Sequence, residues 1–433
     1  MYPGAVTDLS NRLGAWSEVV RKILNDDGLC PQKSDLDSWA VLSHHIHADL
    51  IQRPILFPNR REFAKYDLAR LQRLASFVPS EIREQIFDKI PFAPEQSEFR
   101  FIDLFAGIGG FRIGLQNVGG VSVFSSEINA TARRTYAKNF GDVPIGDIRN
   151  ITRAGTRFRN RSSVNSLIPD FDLVAGGFPC QPFSLAGVSS RRHHGLNDGL
   201  SCTDQGTLFD DIIAIIRAKG HFGKAPKVLL LENVRNLLYH DSGRTFKVIK
   251  SRIEDCGYVV FYQVVDSQAL VPQRRKRIYF VCIREDLVKR IGSYTFPEFC
   301  IPNPPLALGS ILDRGKAMQQ FQISSRLWAS HRRRSRRHAA KGNGFTIELA
   351  DLQRPANTLV SRYYKDGKDC LISMGGNRNP RMLTPRECAR LQGFDPELFI
   401  LPETRTAAYK AFGNAVTVPV AQKIADSLTG YLK

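Results

Sequence analysis

No apolar run in the sequence approaches the ~20 residues that a membrane-spanning helix needs, which argues against a membrane-embedded class. The stretch Met1 to Leu9 lacks the basic-then-apolar pattern of a secretory leader. A soluble, cytoplasmic protein is the expectation. The eight cysteines are Cys30, Cys180, Cys202, Cys256, Cys282, Cys300, Cys370 and Cys388, and no two form a C-x-x-C pair. A zinc site therefore has little support, and no metal is expected. A chain of 433 residues can build a core without disulfides, and scattered thiols fit a reducing compartment. Acidic charge is also in short supply. Asp and Glu number 42 against 61 Lys and Arg, a formal net charge of +19. Such an excess repels itself in a compact state unless an anionic partner offsets it, and nucleic acid is the leading candidate.

The length suggests two or three domains. Residues 1–97 read as a helical N-terminal extension, with apolar residues at helical spacing in Tyr66–Phe77. From Phe99 short apolar strands alternate with helical stretches. The strand candidates are Phe101–Phe105, Val121–Phe124, Phe171–Ala175, Val228–Leu231, Val259–Val264 and Arg277–Ile283. This rhythm predicts an α/β fold with a parallel sheet covered by helices on both faces. Residues 285–380 lose it and become rich in proline, glycine and arginine, as a second, smaller domain. Val416–Leu432 reads as one closing helix.

Three loops carry the chemistry. Ala106-Gly-Ile-Gly-Gly110 joins a strand to a helix, where glycines let a ligand approach the backbone and free amides favour anionic groups. Glu127 ends the next strand, where an acidic residue can hold ribose hydroxyls, and Asp147-Ile148 stands where it could meet an adenine. Alone, this unit fits a nicotinamide enzyme as well as a methyltransferase. The second loop is Gly176-Gly-Phe-Pro-Cys180-Gln-Pro182, in which two prolines frame a cysteine just beyond a strand. That frame makes Cys180 a candidate nucleophile rather than a plain thiol. The third is built by Glu232-Asn233, delivered by an apolar strand, and Gln273-Arg-Arg275-Lys-Arg277, whose two arginines point to one face of a strand. Arginine can hold a phosphate or a base oxygen bidentately.

Asp103-Leu-Phe-Ala-Gly-Ile-Gly-Gly110, Phe178-Pro-Cys-Gln-Pro-Phe-Ser184, Glu232-Asn-Val234, Gln273-Arg-Arg-Lys-Arg277 and Gly413-Asn-Ala-Val416 occur in that order. Together they resemble the cytosine-5 DNA methyltransferases of bacterial modification systems, over roughly residues 97–433. Arg362–Gly367 and Leu383–Leu391 look closest to the Dcm-like branch. The resemblance implies a Rossmann-like catalytic domain in two pieces, 98–284 and 381–433, around a target recognition domain at 285–380. It implies S-adenosylmethionine as cofactor, held by Phe105, Gly107, Gly110, Glu127, Ile128, Asp147, Ile148, Pro179, Leu208, Asn414 and Ala415. Cys180, Glu232, Arg275 and Arg277 become the catalytic set. Ile128 and Ala415 depart from the residues common in relatives, an aromatic and a serine, and Asp210 stands where a phenylalanine is frequent. The implied partner is double-stranded DNA, with a cognate restriction endonuclease acting on the same site and a monomeric enzyme. Transfer RNA as substrate and a non-catalytic DNA-binding regulator are the rival readings. The segment 184–201 suits a loop closing over a flipped base. The arginine run 332–337 fits either phosphate contacts or a solvated helix face.

Overall fold

The computed structural model describes residues 38–50, 83–84, 87–88, 90–93, 98–153, 157–179, 208–342, 349–368 and 370–433. Tyr66–Phe77, Cys180 and the segment 184–201 lie outside the described residues. In chain order the main elements are α1 (Ser38–Leu50), β1 (Phe99–Leu104), α2 (Gly110–Gln116), β2 (Gly120–Ser126), α3 (Ala130–Phe140), α4 (Arg157–Leu167) and β3 (Leu173–Gly177). They continue with α5 (Leu208–His221), β4 (Val228–Val234), α6 (Arg244–Glu254), β5 (Tyr258–Asp266), β6 (Lys276–Arg284) and α7 (Glu285–Ile291). The chain closes with α8 (Ser325–Ala340), α9 (Pro385–Leu391), α10 (Arg405–Asn414) and α11 (Val418–Asp426).

The strands form one six-stranded sheet in the order β2-β1-β3-β4-β6-β5. Successive side chains on a strand face opposite ways, so each strand feeds two cores. Ile102, Leu104, Leu229, Leu231, Ile278 and Phe280 pack with Ile212 and Ile216 of α5 and Ile249 and Ile253 of α6. Their neighbours Phe101, Leu173, Leu230 and Val281 pack on the other face with Phe111 and Leu115 of α2 and Val420 and Ile424 of α11. Burial on both faces explains why these strands read as unbroken apolar runs.

The expected parallel sheet needs one correction. β6 runs antiparallel to both β4 and β5. Only residues 267–275 separate β5 from β6, fewer than the dozen or so that a parallel crossover requires. The expected closing helix is also two: α11 ends at Asp426 and a single turn follows at Thr429–Leu432. Ser427 lies at the break, its Oγ donating to the Ile424 carbonyl at 2.6 Å and standing 2.8 Å from the Tyr294 hydroxyl. Helix α11 lies on α2. A Cβ at Gly114 would come within 2.8 Å of the Gln422 backbone nitrogen, and Lys433 reaches Glu98 at 2.9 Å. The last residues of the chain thus end beside the start of β1.

Among the described residues, no helix is long and apolar enough to cross a membrane. Of the five cysteines described, Cys282, Cys370 and Cys388 are buried, Cys256 is half-buried and Cys300 is exposed.

Candidate active site at the strand ends

Strand order reverses between β1 and β3, since β2 lies on one side of β1 and β4 on the other side of β3. Ligands of doubly wound folds bind at such a switch point, beyond the carboxyl ends of the strands. Here those ends are the Phe105–Gly110 turn, the Gly177–Pro179 exit and Glu232.

The turn after β1 is tightly bent. Phe105, Gly107 and Gly109 have φ of 55°, 56° and 89°. Left-handed backbone suits glycine and costs about 1 kcal/mol or more at a phenylalanine. A Cβ on Gly107 would meet nothing within 4 Å, so this backbone borders open space. One at Gly110 would approach the Val416 carbonyl oxygen to 2.5 Å, which fixes glycine there by packing. The Glu127 carboxylate accepts from the Gly107 amide at 2.8 Å and the Asn129 amide at 2.7 Å, tying the turn to the end of β2. Burial raises its pKa against these hydrogen bonds. Ile128 beside it is 66% exposed, an apolar side chain presented outward. Ile148 is buried. Asp147 is gripped by Arg149, whose Nε lies 2.9 Å from both carboxylate oxygens, and these bonds hold its pKa down against partial burial. Leu208 is half-buried at the start of α5, in the cluster that includes Phe105 and Phe178. Asn414 ends α10 exposed, with Ala415 buried behind it.

Glu232 and Arg277 come together. Gly177 pairs with Glu232 across β3 and β4, and Val234 pairs with Arg277 across β4 and β6. Glu232 and Arg277 are therefore diagonal neighbours on one face, and Arg277 Nε lies 3.0 Å from Glu232 Oε1. Both side chains are nearly buried. Burial raises the Glu232 pKa, while Arg277 and then Arg275 pull it down. The net shift is upward, so this carboxyl keeps a proton more readily than an exposed glutamate. A Cβ at Gly177 would stand 3.4 Å from Glu232 Oε2, so the carboxyl sits against the strand that leads into Phe178-Pro179-Cys180. Asn233 donates to the Phe178 carbonyl at 3.2 Å and fixes that exit. Pro179 is half-buried.

Arg275 is held differently from Arg277. It is 2% exposed, and its guanidinium donates to the carbonyls of Leu359 at 3.0 Å, Gly413 at 3.3 Å and Ala415 at 2.9 Å. It ties the start of β6 to the segment carrying Asn414, and its charge still acts on Glu232.

A buried network beneath the β1 turn was not read from the sequence. Arg112 of α2 is fully buried, with Nη1 2.7 Å from Asp142 and 3.2 Å from the Tyr136 hydroxyl. That hydroxyl donates to Asp103 Oδ2 at 3.2 Å. His44 of α1 brings Nδ1 to 3.0 Å from Asp142 Oδ1. Burial pushes the Asp103 pKa up to about 7, against the pull of Arg112 and the Tyr136 hydrogen bond. The available signal was a charge inside the apolar stretch Phe111-Arg-Ile-Gly-Leu115.

A family profile described as C-5 cytosine-specific DNA methylase matches residues 99–430. Among curated proteins, the type II methyltransferase M.SsoII of Shigella sonnei is 42% identical over 345 residues, 78% of this chain and 82% of that one. The DNA-cytosine methyltransferase of Escherichia coli K12 is 37% identical over 391 residues, 81% of each. Among solved structures, S. pombe Dnmt2 methyltransferase aligns with a TM-score of 0.53 at 19% identity, over 76% of this chain and 98% of its own, which supports the fold. With its strand-end carboxyl, its glycine turn and these relatives, the chain belongs to the C-5 cytosine-specific DNA methylases and is a DNA (cytosine-5-)-methyltransferase.

Proposed function

We propose that the protein methylates carbon-5 of a cytosine flipped out of duplex DNA, through a covalent bond between Cys180 and carbon-6, with S-adenosylmethionine as donor. The observation that carries this is the Glu232–Arg277 pair at 3.0 Å, placed against the strand that runs into Cys180.

The residues around the β1 turn fit the donor. Open space beside Gly107, the oriented Glu127 carboxylate and the outward Ile128 suit a ligand with a ribose and a flat base. Glu127 would hold the ribose hydroxyls, Ile128 would lie against the adenine, and Phe105, Gly110, Ile148, Pro179, Leu208, Asn414 and Ala415 would complete the wall. Asp147 would share its carboxylate between Arg149 and the adenine amino group. When bound, S-adenosylmethionine supplies an activated methyl group for carbon-5.

The chain's own residues prepare the base. The Cys180 thiolate forms a sulfur–carbon-6 bond, and the carbon-5–carbon-6 π pair shifts so that carbon-5 becomes nucleophilic. Glu232 donates a proton or hydrogen bond to ring nitrogen-3, for which its raised pKa suits it. Arg277 orients Glu232 and contacts the base oxygen. After carbon-5 has taken the methyl group, a base removes its proton, the freed pair restores the double bond, and the thiolate leaves. Flipping costs a few kcal/mol of stacking and pairing. Arg275 fixes the Gly413–Ala415 segment and adds positive charge near Glu232.

The 285–380 region serves as target recognition domain, and a restriction endonuclease of the same specificity is the expected companion in the cell. The test is Cys180→Ser, assayed for methyl transfer to unmodified genomic DNA, together with trapping on a duplex carrying 5-fluorocytosine. Wild type should transfer methyl and form a denaturation-resistant adduct, and C180S should do neither. Full activity in C180S would overturn the mechanism.

A further inference from the structure

We infer that the outward face of helix α8 is a phosphate-binding rail that holds duplex DNA without reading its sequence. The inference rests on the DNA substrate proposed above and adds a defined surface to it. Helix α8 is Ser324-capped and spans Ser325–Ala340, with the sequence SRLWASHRRRSRRHAA. It contains no acidic residue. Its inner side is anchored: Leu327 and Trp328 pack against Ile323 and Leu371, and buried His331 Nε2 stands 2.9 Å from the Asp366 carbonyl. Arg334 turns toward the Asp366 carboxylate at 3.9 Å. The exposed side carries Arg326, Arg332, Arg333, Arg336 and Arg337. At 100° per residue, Arg326, Arg333 and Arg337 fall in one line about 16 Å long, with Arg336 and Arg332 about a quarter-turn or more round on one side of it, Arg332 lying over the Trp328 ring at 5.8 Å.

Helix stability accounts for Arg337 in the last turn but not for the rest of this charge. Arg326 sits in the first turn, where the helix dipole disfavours a cation. Arg332 with Arg336 and Arg333 with Arg337 are like-charge pairs at i,i+4, each opposing the helix. The free protein therefore holds a self-repelling row on a helix packed along its inner side. A polyanion running along that row removes the repulsion and releases its own counterions. Arginine suits the task because its planar fork grips phosphate oxygens bidentately. Duplex DNA offers a regular line of such groups.

The experiment uses the full chain and a 30-base-pair duplex of arbitrary sequence, with Kd measured against NaCl concentration. Three proteins are compared with wild type: Arg333, Arg336 and Arg337 changed together to Gln; the same three changed to Lys; and exposed Arg217, Lys247 and Arg290 changed to Gln. The rail predicts that the first loses up to about 3 from the slope of log K on log salt, near 0.9 per phosphate contact. It predicts that the lysine variant keeps the slope within about 1, since the charge is retained. The third, with an equal loss of charge elsewhere, should keep it too. An unchanged slope in the first, an equal fall in the third, or a collapse in the lysine variant would each overturn the inference. Methyl transfer by wild type to genomic DNA reports separately on the proposed activity.

Discussion

At the scale of single residues, burial raises the pKa of two carboxyls, Glu232 and Asp103. In the proposed acid role, Glu232 works only while it holds its proton. Its raised pKa places the loss of that proton closer to neutrality, so the rate should fall on the alkaline side as Glu232 ionises. Glu232→Gln can still hydrogen-bond nitrogen-3 but cannot transfer a proton. Its kcat should drop by about 100-fold or more, and the alkaline limb assigned to Glu232 should vanish from the pH–rate profile. An unchanged alkaline limb in E232Q would remove Glu232 from the acid role. Asp103 offers a stability counterpart. Its pKa rises from 3.8 unfolded to about 7 folded, so between those values the native state binds more proton than the unfolded state. Stability then falls as pH rises through that window, by at most about 1.4 kcal/mol per pH unit from this group. Urea midpoints of wild type and Asp103→Asn between pH 5 and 7.5 test this. The wild-type line should descend more steeply than the variant's, and parallel lines would show that Asp103 does not titrate there.

At the scale of elements, the proposed donor site depends on pieces that arrive from both ends of the described chain. The Gly110 position meets the Val416 carbonyl oxygen, so Gly110→Ala pushes α2 and the 414–416 segment apart. Equilibrium binding of S-adenosylmethionine should weaken by tenfold or more in G110A, and unchanged donor affinity would argue against a shared wall. From the other end, α1 places His44 against Asp142, which also pairs with Arg112 beneath the turn. His44→Ala removes a buried side chain that sits against Asp142 and accepts from the Val143 amide, and leaving such a buried polar group without its partner costs about 1–3 kcal/mol. Thermal unfolding of H44A should show a clear drop, and a change within error would mean that α1 is only lightly docked.

Much of this was legible because the cues are local. Strand candidates such as Val228–Leu231 and Val259–Val264 lie inside the observed strands, since apolar runs bounded by turns mark burial directly. Glu232 and Arg277 could be paired because each is delivered by its own strand. The direction of β6 was not legible, since an apolar pattern reads the same both ways and only the short 267–275 link decides it. The place of Arg275 was hidden for a different reason. Its partners Leu359 and Ala415 lie 84 and 140 residues away, and they are backbone carbonyls, which any residue type supplies. The Asp103–Tyr136–Arg112–Asp142 chain likewise exists only once α2 and α3 have packed.

For the whole molecule, the ordering of the chain matters less than the closure it achieves. Residues 416–433 bury Val420, Ala421, Ile424, Ala425, Leu428 and Leu432 at 0–1% exposure on the face shared by β1, β3 and α2. At about 1.5–3 kcal/mol for each larger side chain, that burial is comparable with the whole net stability of a domain. A chain cut after Ala415 should therefore lose its cooperative unfolding transition. The same segment ends where the sheet begins, with Lys433 2.9 Å from Glu98. Moving residues 416–433 to a point just ahead of Glu98, joined by a short glycine–serine linker, should restore both the transition and methyl transfer. Cooperative unfolding of the cut chain at the wild-type temperature would show that this face does not need its cover. Failure of the rearranged chain alone would mean that the covalent link between Ala415 and Val416, and with it the placing of Asn414, is required as well as the packing.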